Sequence, residues 1–287
     1  LLRAAGYESE EGEIAAMSDE QVLPELRAGS LEVKISRDPV SIRAAQKLRY
    51  SIFFGEMGGV SQNPQVVAEE RDFDDYDDIC DHLLVLDHSR GSRPAEEIVG
   101  CYRLLRRSVM PKIGRFYTSG EFDLTAVEQV PGEIMELGRS CVHANYRNRA
   151  VMQLLWRGIG EYMAKYDITL LFGCASFTGI DPKQYAEALS YLYHFHLAPP
   201  ELRLTALPQH YTRMDLLPKE EIDPKRALSA IPPLIKGYLR LNGVIGDGAF
   251  IDEECRSIDV GIVVKTDRVT DKYARRYQGG GWGGDAG

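Results

Sequence analysis

Two charged residues, Glu136 and Arg139, interrupt an apolar run over residues 134–143 that is otherwise typical of a buried strand. A short loop with two cationic side chains, Arg147 and Arg149, follows, and an amphipathic helix begins directly after it. Backbone N–H groups at a helix N-terminus have no partner inside the helix, so a cationic turn leading into one can bind phosphate. The pattern predicts a site for a pyrophosphate or phosphopantetheine group. A pantetheine arm on a carrier delivers acyl groups, which points to acyl transfer.

The expected phosphate ligands are the side chains of Arg147 and Arg149 and the backbone from Asn148 to Val151. A solvent-exposed turn is the alternative interpretation of this loop. The direct connection to a helix start favours the binding role.

The composition limits the class of protein. The chain has 287 residues, of which 44% are hydrophobic and 27% charged, as in ordinary globular proteins. A net charge of −9 argues against a dedicated nucleic-acid binder. The five cysteines are odd in number and form no Cys-x-x-Cys pair, which predicts neither a disulfide framework nor a zinc site. We therefore expect a cytoplasmic protein with no bound metal.

The expected organisation is one domain between two flexible ends. Residues 1–30 are acidic and predicted to be a flexible leader, residues 31–277 one domain, and residues 278–287 a glycine-rich tail. A long excursion with several prolines starts the C-terminal extension at about residue 198.

Hydrophobic periodicity predicts a mixed α/β fold with one strand–helix–strand crossover. The predicted strands are 31–35, 82–86, 97–105, 134–143, 169–174 and 259–264, and the predicted helices are 38–58, 151–162, 181–192 and 231–241. Gly243, Gly246 and Gly248 are expected in a turn.

Four motifs in this order resemble those of one branch of the GNAT-like acyltransferases. That branch contains acyl-homoserine-lactone synthases and ornithine-lipid N-acyltransferases. The motifs are Arg49-x-x-x-Phe53, Glu70-x-Asp72-x-x-Asp75, the strand Gly100–Leu105 with Arg103, and Glu136-x-x-Arg139. The segments 172–177, 189–192 and 233–241 resemble the ornithine N-acyltransferases, which extends the resemblance over roughly residues 31–277.

The resemblance implies a GNAT-like fold, with a mixed, mainly antiparallel central sheet flanked by helices and a C-terminal extension. It implies transfer of a 3-hydroxyacyl chain to the α-amine of ornithine, which gives a lyso-ornithine lipid. The donor would be the 4′-phosphopantetheine arm of acyl carrier protein, with no cofactor held by the enzyme. The loop Asn145–Ala150 lacks the Gly-x-Gly/Ala of acetyl-coenzyme A enzymes, which favours a carrier-protein donor.

The resemblance also implies roles for single residues. Glu136 is expected to act as the base that frees the amine, and Arg139 of the same motif is placed with it in the catalytic group. The alternative is that Glu136 and Arg139 belong to an ion-pair network with Arg49 or Arg103 that only holds the cleft together. Ser140 or Tyr146 could protonate the leaving thiolate.

The remaining motif residues are expected to bind the amino acid. Glu70, Asp72 and Asp75 would hold an ammonium group, and a merely solvated acidic loop is the alternative. Arg49, Arg103 and Arg139 are the candidates for binding the carboxylate. The predicted substrate-binding residues are Arg49, Phe53, Glu70, Asp72, Asp75 and Arg103.

Basic residues that cluster late in the sequence could receive the acidic carrier protein or an anionic membrane surface. They are Arg203, Arg213, Lys219, Lys225, Arg226, Lys236 and Arg240. An ordinary solvated face is the alternative, so peripheral contact with the inner membrane is one of two interpretations.

Other functions would give a similar pattern. An acyl-homoserine-lactone synthase, which uses S-adenosylmethionine, is the nearest alternative, and an acyltransferase for lysine, glycine or glutamine is another. An acetyl-coenzyme A enzyme and a non-catalytic carrier-binding module complete the alternatives.

Overall fold

The computed structural model describes residues 22–266, in which eleven strands form one sheet. The strands are β1 (Leu26–Ala28), β2 (Leu31–Ser36), β3 (Asp81–Asp87), β4 (Ile98–Arg106), β5 (Phe122–Asp123), β6 (Glu133–Val142), β7 (Ile168–Thr178), β8 (Thr205–Ala206), β9 (Tyr211–Thr212), β10 (Val244–Asp252) and β11 (Ser257–Lys265). Their order is β1-β2-β3-β4-β6-β7-β11-β10-β8-β5, and β9 pairs with β10. All neighbours are antiparallel except β6–β7 and the short β8–β10 contact.

Eight α-helices lie in the same part of the chain. They are α1 (Pro39–Tyr50), α2 (Pro64–Glu69), α3 (Pro94–Glu97), α4 (Thr125–Glu128), α5 (Arg149–Lys165), α6 (Ala186–His196), α7 (Pro224–Ala230) and α8 (Pro233–Arg240). Helix α5 makes the crossover between the parallel strands β6 and β7. Among residues 22–266, no helix is both long enough and apolar enough to cross a lipid bilayer.

Helix α5 covers one face of the sheet. Its side chains Val151 and Ile159 are buried in one core with Leu83 and Val85 of β3. Gly158 allows this close packing, because a Cβ atom there would lie 2.8 Å from Leu83 Cδ1.

Two segments cover the opposite face. Helix α1 begins at the N-cap Asp38, as expected, and buries Leu48 beside Leu84 of β3. The segment between β4 and β6 forms a second core around Phe116 and Phe172, whose rings meet edge to face at 4.9 Å. The predicted sheet and its single crossover are thus confirmed, and the segment before β6 is part of the packed domain.

The predicted leader is wrong at its C-terminal end. Residues 26–28 form β1 and pair with β2, and Leu23 and Leu26 are buried in the core under α5. Burial of these two leucines against apolar side chains of α5 and β2 stabilises the segment. The predicted leader before residue 22 and the tail at 278–287 lie outside the described residues.

The predicted glycine turn is also wrong, because Gly246 and Gly248 lie within β10. The register with β11 shifts between Ile245 and Ala249, which marks a bulge. Gly248 has a φ of 75°, and a Cβ atom on Gly246 would lie 2.7 Å from the Leu204 carbonyl oxygen. Glycine therefore allows neighbouring segments to approach the β10 backbone closely.

Helix α1 ends earlier than Gly58–Gly59. The α-helix stops at Tyr50 and continues as a π-helical turn, Ser51–Glu56, that carries Phe53. Turns of this type are frequent at functional sites.

Candidate active site

Arg49 of α1 is a buried guanidinium whose three nitrogen atoms all donate hydrogen bonds. It is 1% exposed; Nε donates to Asp72 Oδ2 at 2.7 Å, and the two Nη atoms donate to the Asp77 oxygens at 2.9 and 2.8 Å. Burial alone would lower the pKa of Arg49, but attraction by Asp72 and Asp77 outweighs it and raises that pKa. Arg49 therefore anchors the loop after α2 and is not available to a substrate carboxylate.

Arg103 of β4 belongs to the same network. Its Nη1 donates to Asp74 Oδ1 at 2.5 Å and lies 3.4 Å from Asp77 Oδ1. Its guanidinium stands over the rings of Tyr76 and Tyr117, at 5.3 and 5.5 Å from their centroids. Arg103 is 3% exposed, so it is, like Arg49, a buried member of the network.

The acidic motif contributes one of its three predicted residues to this network. Asp72 lies in it, whereas Glu70 and Asp75 are exposed. Glu70 is the C-cap of α2 in a left-handed conformation, with a φ of 48°, and takes no part in the buried network. Asp74 and Asp77, which the motif did not include, take the inward positions.

Arg139 is the least constrained arginine of the network. A bulge in β6 places it there, because the register with β4 shifts across Arg139, which has a φ of 50°. Its Nε lies 3.4 Å from Asp72 Oδ2 without forming a hydrogen bond, and its Nη2 lies 3.9 Å from Asp74 Oδ2. Its guanidinium also faces the rings of Tyr117, at 4.7 Å, and Phe53, at 5.8 Å. With 19% of the side chain exposed, Arg139 can reach a ligand.

Glu136 is held by backbone donors. Tyr117 N–H donates to Oε2 at 3.0 Å, and Thr118 N–H donates to Oε1 at 2.5 Å. Burial raises the pKa of Glu136, and these hydrogen bonds offset only part of that effect. The ion pair with Arg49 or Arg103 that was the alternative expectation is not formed within the described structure. A carboxylate with a raised pKa accepts protons more readily than an ordinary one.

The sheet opens into a fork beside Glu136. Strands β6 and β7 pair only as far as Glu136 and Phe172, and beyond this point β6 follows β4 while β7 follows β11. The strands are still in contact at Gly173, where a Cβ atom would overlap the Leu137 carbonyl oxygen. Glu136 is thus the last β6 residue paired with β7, and it lies where the two strands begin to diverge.

Ser140 lies on the other side of the sheet. Burial raises the pKa of the Tyr102 hydroxyl, and the nearby Ser140 hydroxyl lowers it in part. Tyr102 belongs to the core under α5, whereas Glu136 faces the turn at residues 117–118. The bulge at Arg139 explains the separation, because one extra residue reverses the alternation of side chains along a strand. Ser140 is thus not brought to the predicted catalytic group.

The backbone groups predicted to bind phosphate are used by the helix itself. Asn148 is the N-cap of α5, and its Oδ1 accepts from Ala150 N–H at 3.0 Å and from Val151 N–H at 3.2 Å. The Val151 side chain is fully buried in the core. Asn148 and Val151 therefore have local structural roles that replace the predicted phosphate contacts.

The cations of the same loop lie at the surface. Arg147 pairs with Glu56 of the π-helical turn and donates from Nε to the Val142 carbonyl at 3.0 Å. Arg149 is exposed in the first turn of α5. These positions suit contact with a large acidic partner better than an enclosed phosphate pocket.

Three carboxylates that the sequence did not single out form a cluster at the fork. Glu121 precedes β5, Asp252 ends β10 and Asp259 lies on β11, and each places an oxygen atom within 4.8 Å of the other two. Burial, aided by repulsion among these groups, raises the pKa of Glu121 to about 8 and that of Asp259 to about 6. No spacing rule could find them, because only the folded sheet brings the three segments together. Carboxylates at these distances could also hold a cation, which the sequence did not predict.

Comparison with known proteins decides the family. Residues 48–157 match the model of an acetyltransferase (GNAT) domain. An L-ornithine N(alpha)-acyltransferase of Rhizobium meliloti (strain 1021) is 44% identical over 263 residues, which are 91% of this chain and 87% of that relative. One of Brucella abortus (strain 2308) is 42% identical over 275 residues, 95% of this chain and 97% of the relative. The chain belongs to the L-ornithine N(alpha)-acyltransferase family.

Solved structures similar to this member of the L-ornithine N(alpha)-acyltransferase family include two acyl-transferring synthases. The acyl-homoserine-lactone synthase LasI has a TM-score of 0.49 and 14% identity, covering 89% of this chain and 98% of its own. FeeM, an N-acyl amino acid synthase from uncultured soil microbes, has a TM-score of 0.40 and 8% identity, covering 84% and 93%.

Membership of the L-ornithine N(alpha)-acyltransferase family confirms the resemblance and the predicted enzyme class. Three arginines of the four motifs, Arg49, Arg103 and Arg139, meet around Asp72 and its neighbours. The motifs therefore converge in the structure, where Arg49 and Arg103 are buried in the ion-pair network and Arg139 makes only long ion pairs among the described residues.

Proposed function

We propose that this protein is an L-ornithine N(alpha)-acyltransferase that moves a 3-hydroxyacyl chain from a carrier-protein thioester to the α-amine of L-ornithine. The observation that carries the proposal is 41–44% identity with four relatives of that name over most of the chain. The match extends well past residues 48–157, so it includes β7, which borders the fork, and β11 and β10, which follow β7 in the sheet.

The chemistry requires a free amine. The α-ammonium group of ornithine first loses a proton, and its nitrogen attacks the thioester carbonyl carbon. A C–N bond then forms, the C–S bond breaks, and the departing thiolate takes up a proton. Glu136 suits the first step because its buried carboxylate has a raised pKa and a fixed orientation.

Arg139 is the group proposed to orient the amino acid. Of the three arginines considered for the substrate carboxylate, Arg49 donates hydrogen bonds from all three nitrogen atoms, and Arg103 is 3% exposed and donates from Nη1 to Asp74. Among the described residues Arg139 makes only long ion pairs, and 19% of its side chain is exposed. A guanidinium fork can bind both oxygens of the α-carboxylate and hold the amine in place beside Glu136.

The fork between β6 and β7 would receive the acyl thioester. Strand β6 beyond Glu136 is not paired with β7, so its backbone can meet the thioester carbonyl where negative charge develops. The pantetheine arm would then leave toward the N-terminus of α5, and the exposed Arg147 and Arg149 would contact the acidic carrier protein.

Membrane contact is a separate part of the proposal. Two of the late basic residues are neutralised locally, since Arg213 pairs with Asp215 and Arg226 with Glu187. Peripheral binding to an anionic surface would therefore depend on other cations of this region, among them the exposed Lys225.

The test is a reaction with purified components. The enzyme is incubated with 3-hydroxyacyl carrier protein, or with the matching coenzyme A thioester, and a panel of ornithine, lysine, glycine and glutamine. Mass spectrometry should detect N-acyl ornithine, formed fastest from the carrier-protein thioester. A lactone formed from S-adenosylmethionine would instead support the synthase alternative, and preference for another amino acid would change the head group.

A further inference from the structure

We infer that the cluster of Glu121, Asp252 and Asp259 binds the side-chain ammonium group of the diamino acid that accepts the acyl chain. This inference rests on the proposed function and names the residues that would distinguish ornithine from amino acids without a terminal amine. It concerns carboxylates outside the acidic motif that the sequence analysis considered for this purpose.

The cluster has the right size for an ammonium ion. Its three oxygen atoms lie within 4.8 Å of one another. A nitrogen at the centre of such a triangle lies at most about 2.8 Å from each oxygen, which is within the range of N–H···O distances. An alkylammonium group has three N–H donors and can therefore use all three carboxylates.

Within residues 22–266, several buried polar atoms at the cluster make no hydrogen bond of standard distance and angle. Among the described residues, Glu121 Oε2, Asp259 Oδ1 and the neighbouring Ser257 Oγ make no hydrogen bond. These residues are only 8%, 4% and 1% exposed, respectively. Leaving buried acceptors unpaired is costly, and a cationic ligand would satisfy them.

The cluster is continuous with the proposed reaction centre. Cys174 is affected electrostatically by Glu121 and donates from Sγ to Thr118 Oγ1 at 3.7 Å, and Thr118 N–H is bonded to Glu136. The Arg139 guanidinium acts on both Glu121 and Asp259 by lowering the pKa of each carboxyl group. One amino acid could thus place its α-carboxylate on Arg139 and its side-chain ammonium in the cluster.

A comparison of ornithine with norvaline isolates the terminal amine, because norvaline has the same carbon chain without it. Rates with 3-hydroxyacyl carrier protein are measured for wild type, Glu121→Gln, Asp259→Asn and Asp252→Asn. Glu253→Gln is the matched control, since this neighbouring carboxylate is exposed. Binding of both amino acids is measured separately by calorimetry, without donor, so that the result does not depend on turnover.

We expect wild type to prefer ornithine over norvaline by about 100-fold in kcat/KM, and the cluster variants to lose most of that preference through a higher KM for ornithine. The control should keep the wild-type ratio. Equal ratios in wild type and cluster variants would overturn the inference while N-acyl ornithine still forms. Failure of all turnover would instead contradict the proposed function, and calorimetry would still show whether the cluster selects ornithine.

A metal ion is the competing occupant. If calcium or magnesium binds to wild type but not to Asp259→Asn, and removal of metal by EDTA abolishes the preference for ornithine, the cluster is a metal site and the inference is wrong. Unchanged preference after EDTA treatment would support direct binding of ammonium.

Discussion

Glu136 is held by two backbone N–H groups and no arginine, so its protonation can change without breaking an ion pair. Glu136→Gln should lower kcat by at least about 100-fold, because an amide cannot accept the ammonium proton. The glutamine would also present N–H donors to backbone donors, and this should destabilise the fold by about 1–3 kcal/mol. Steady-state rates and urea unfolding measure the two effects, with the exposed Glu128→Gln as control.

The pH dependence of kcat/KM distinguishes a catalytic role of Glu136 from a structural one. Because burial raises the pKa of Glu136, the wild-type kcat/KM should rise with pH through a range above that of an ordinary glutamate. Glu136→Gln should lose this rise if the carboxylate is the base. A variant that keeps both the rise and the wild-type rate at a matched folded fraction would leave Glu136 with a structural role only.

Arg139 should affect the amino acid and not the acyl donor. Arg139→Lys keeps the charge but loses the two-point fork, so we expect the KM for ornithine to rise about 10-fold or more while the KM for the acyl thioester changes little. Initial rates with each substrate varied in turn measure this. An equal rise in both KM values would contradict a role in orienting the amino acid.

We expect Arg49 to contribute mainly to the stability of the fold and not directly to catalysis. Arg49→Leu leaves Asp72 and Asp77 buried without their main cation, which should cost about 3–5 kcal/mol of unfolding free energy. Urea denaturation measures the loss, and Arg93→Leu is a control because its side chain is 78% exposed. A loss below about 1 kcal/mol would mean that the network contributes little to folding.

Helices and strands were easier to predict from the sequence than the bulges and turns that position the site residues. The β6 strand, the α5 helix and the crossover they form with β7 follow from hydrophobic periodicity. The bulge at Arg139 and the turn that binds Glu136 could not be predicted in this way. Both depend on long-range contacts, and a one-residue bulge leaves no periodic signal. The carboxylates at Glu121 and Asp259 illustrate the same limit, since only the sheet order makes them neighbours.

Substitution of Asn148 tests its role as the N-cap of α5. Asn148→Ala removes the acceptor for two backbone N–H groups and should lower stability by about 1 kcal/mol, whereas Asn148→Asp should retain it. Thermal unfolding compares the variants. If the cap also positions the carrier, the KM for acyl carrier protein will rise in Asn148→Ala, and an unchanged KM would limit Asn148 to capping.

The carboxylate cluster should make the stability of the whole molecule fall as pH rises. The pKa of Glu121, at about 8, and that of Asp259, at about 6, are above those of unfolded carboxyl groups. The folded protein thus binds more protons than the unfolded chain between about pH 4 and pH 8, and the free energy of unfolding decreases across that range. Glu121→Gln should therefore be more stable than wild type at pH 8 and gain much less at pH 4. Equal gains at both pH values would contradict these shifts.

Strand β11 is the last strand described in the chain, yet it lies between β7 and β10 inside the sheet. During synthesis on the ribosome, the edge of β7 that pairs with β11 would therefore stay unpaired until the β10–β11 hairpin emerges and docks. Asp259 arrives with that hairpin, so the nascent chain has no complete carboxylate cluster before this step. The carboxylate cluster is therefore complete only when the fold is complete, and the unpaired β7 edge is the point most exposed to aggregation if docking is slow.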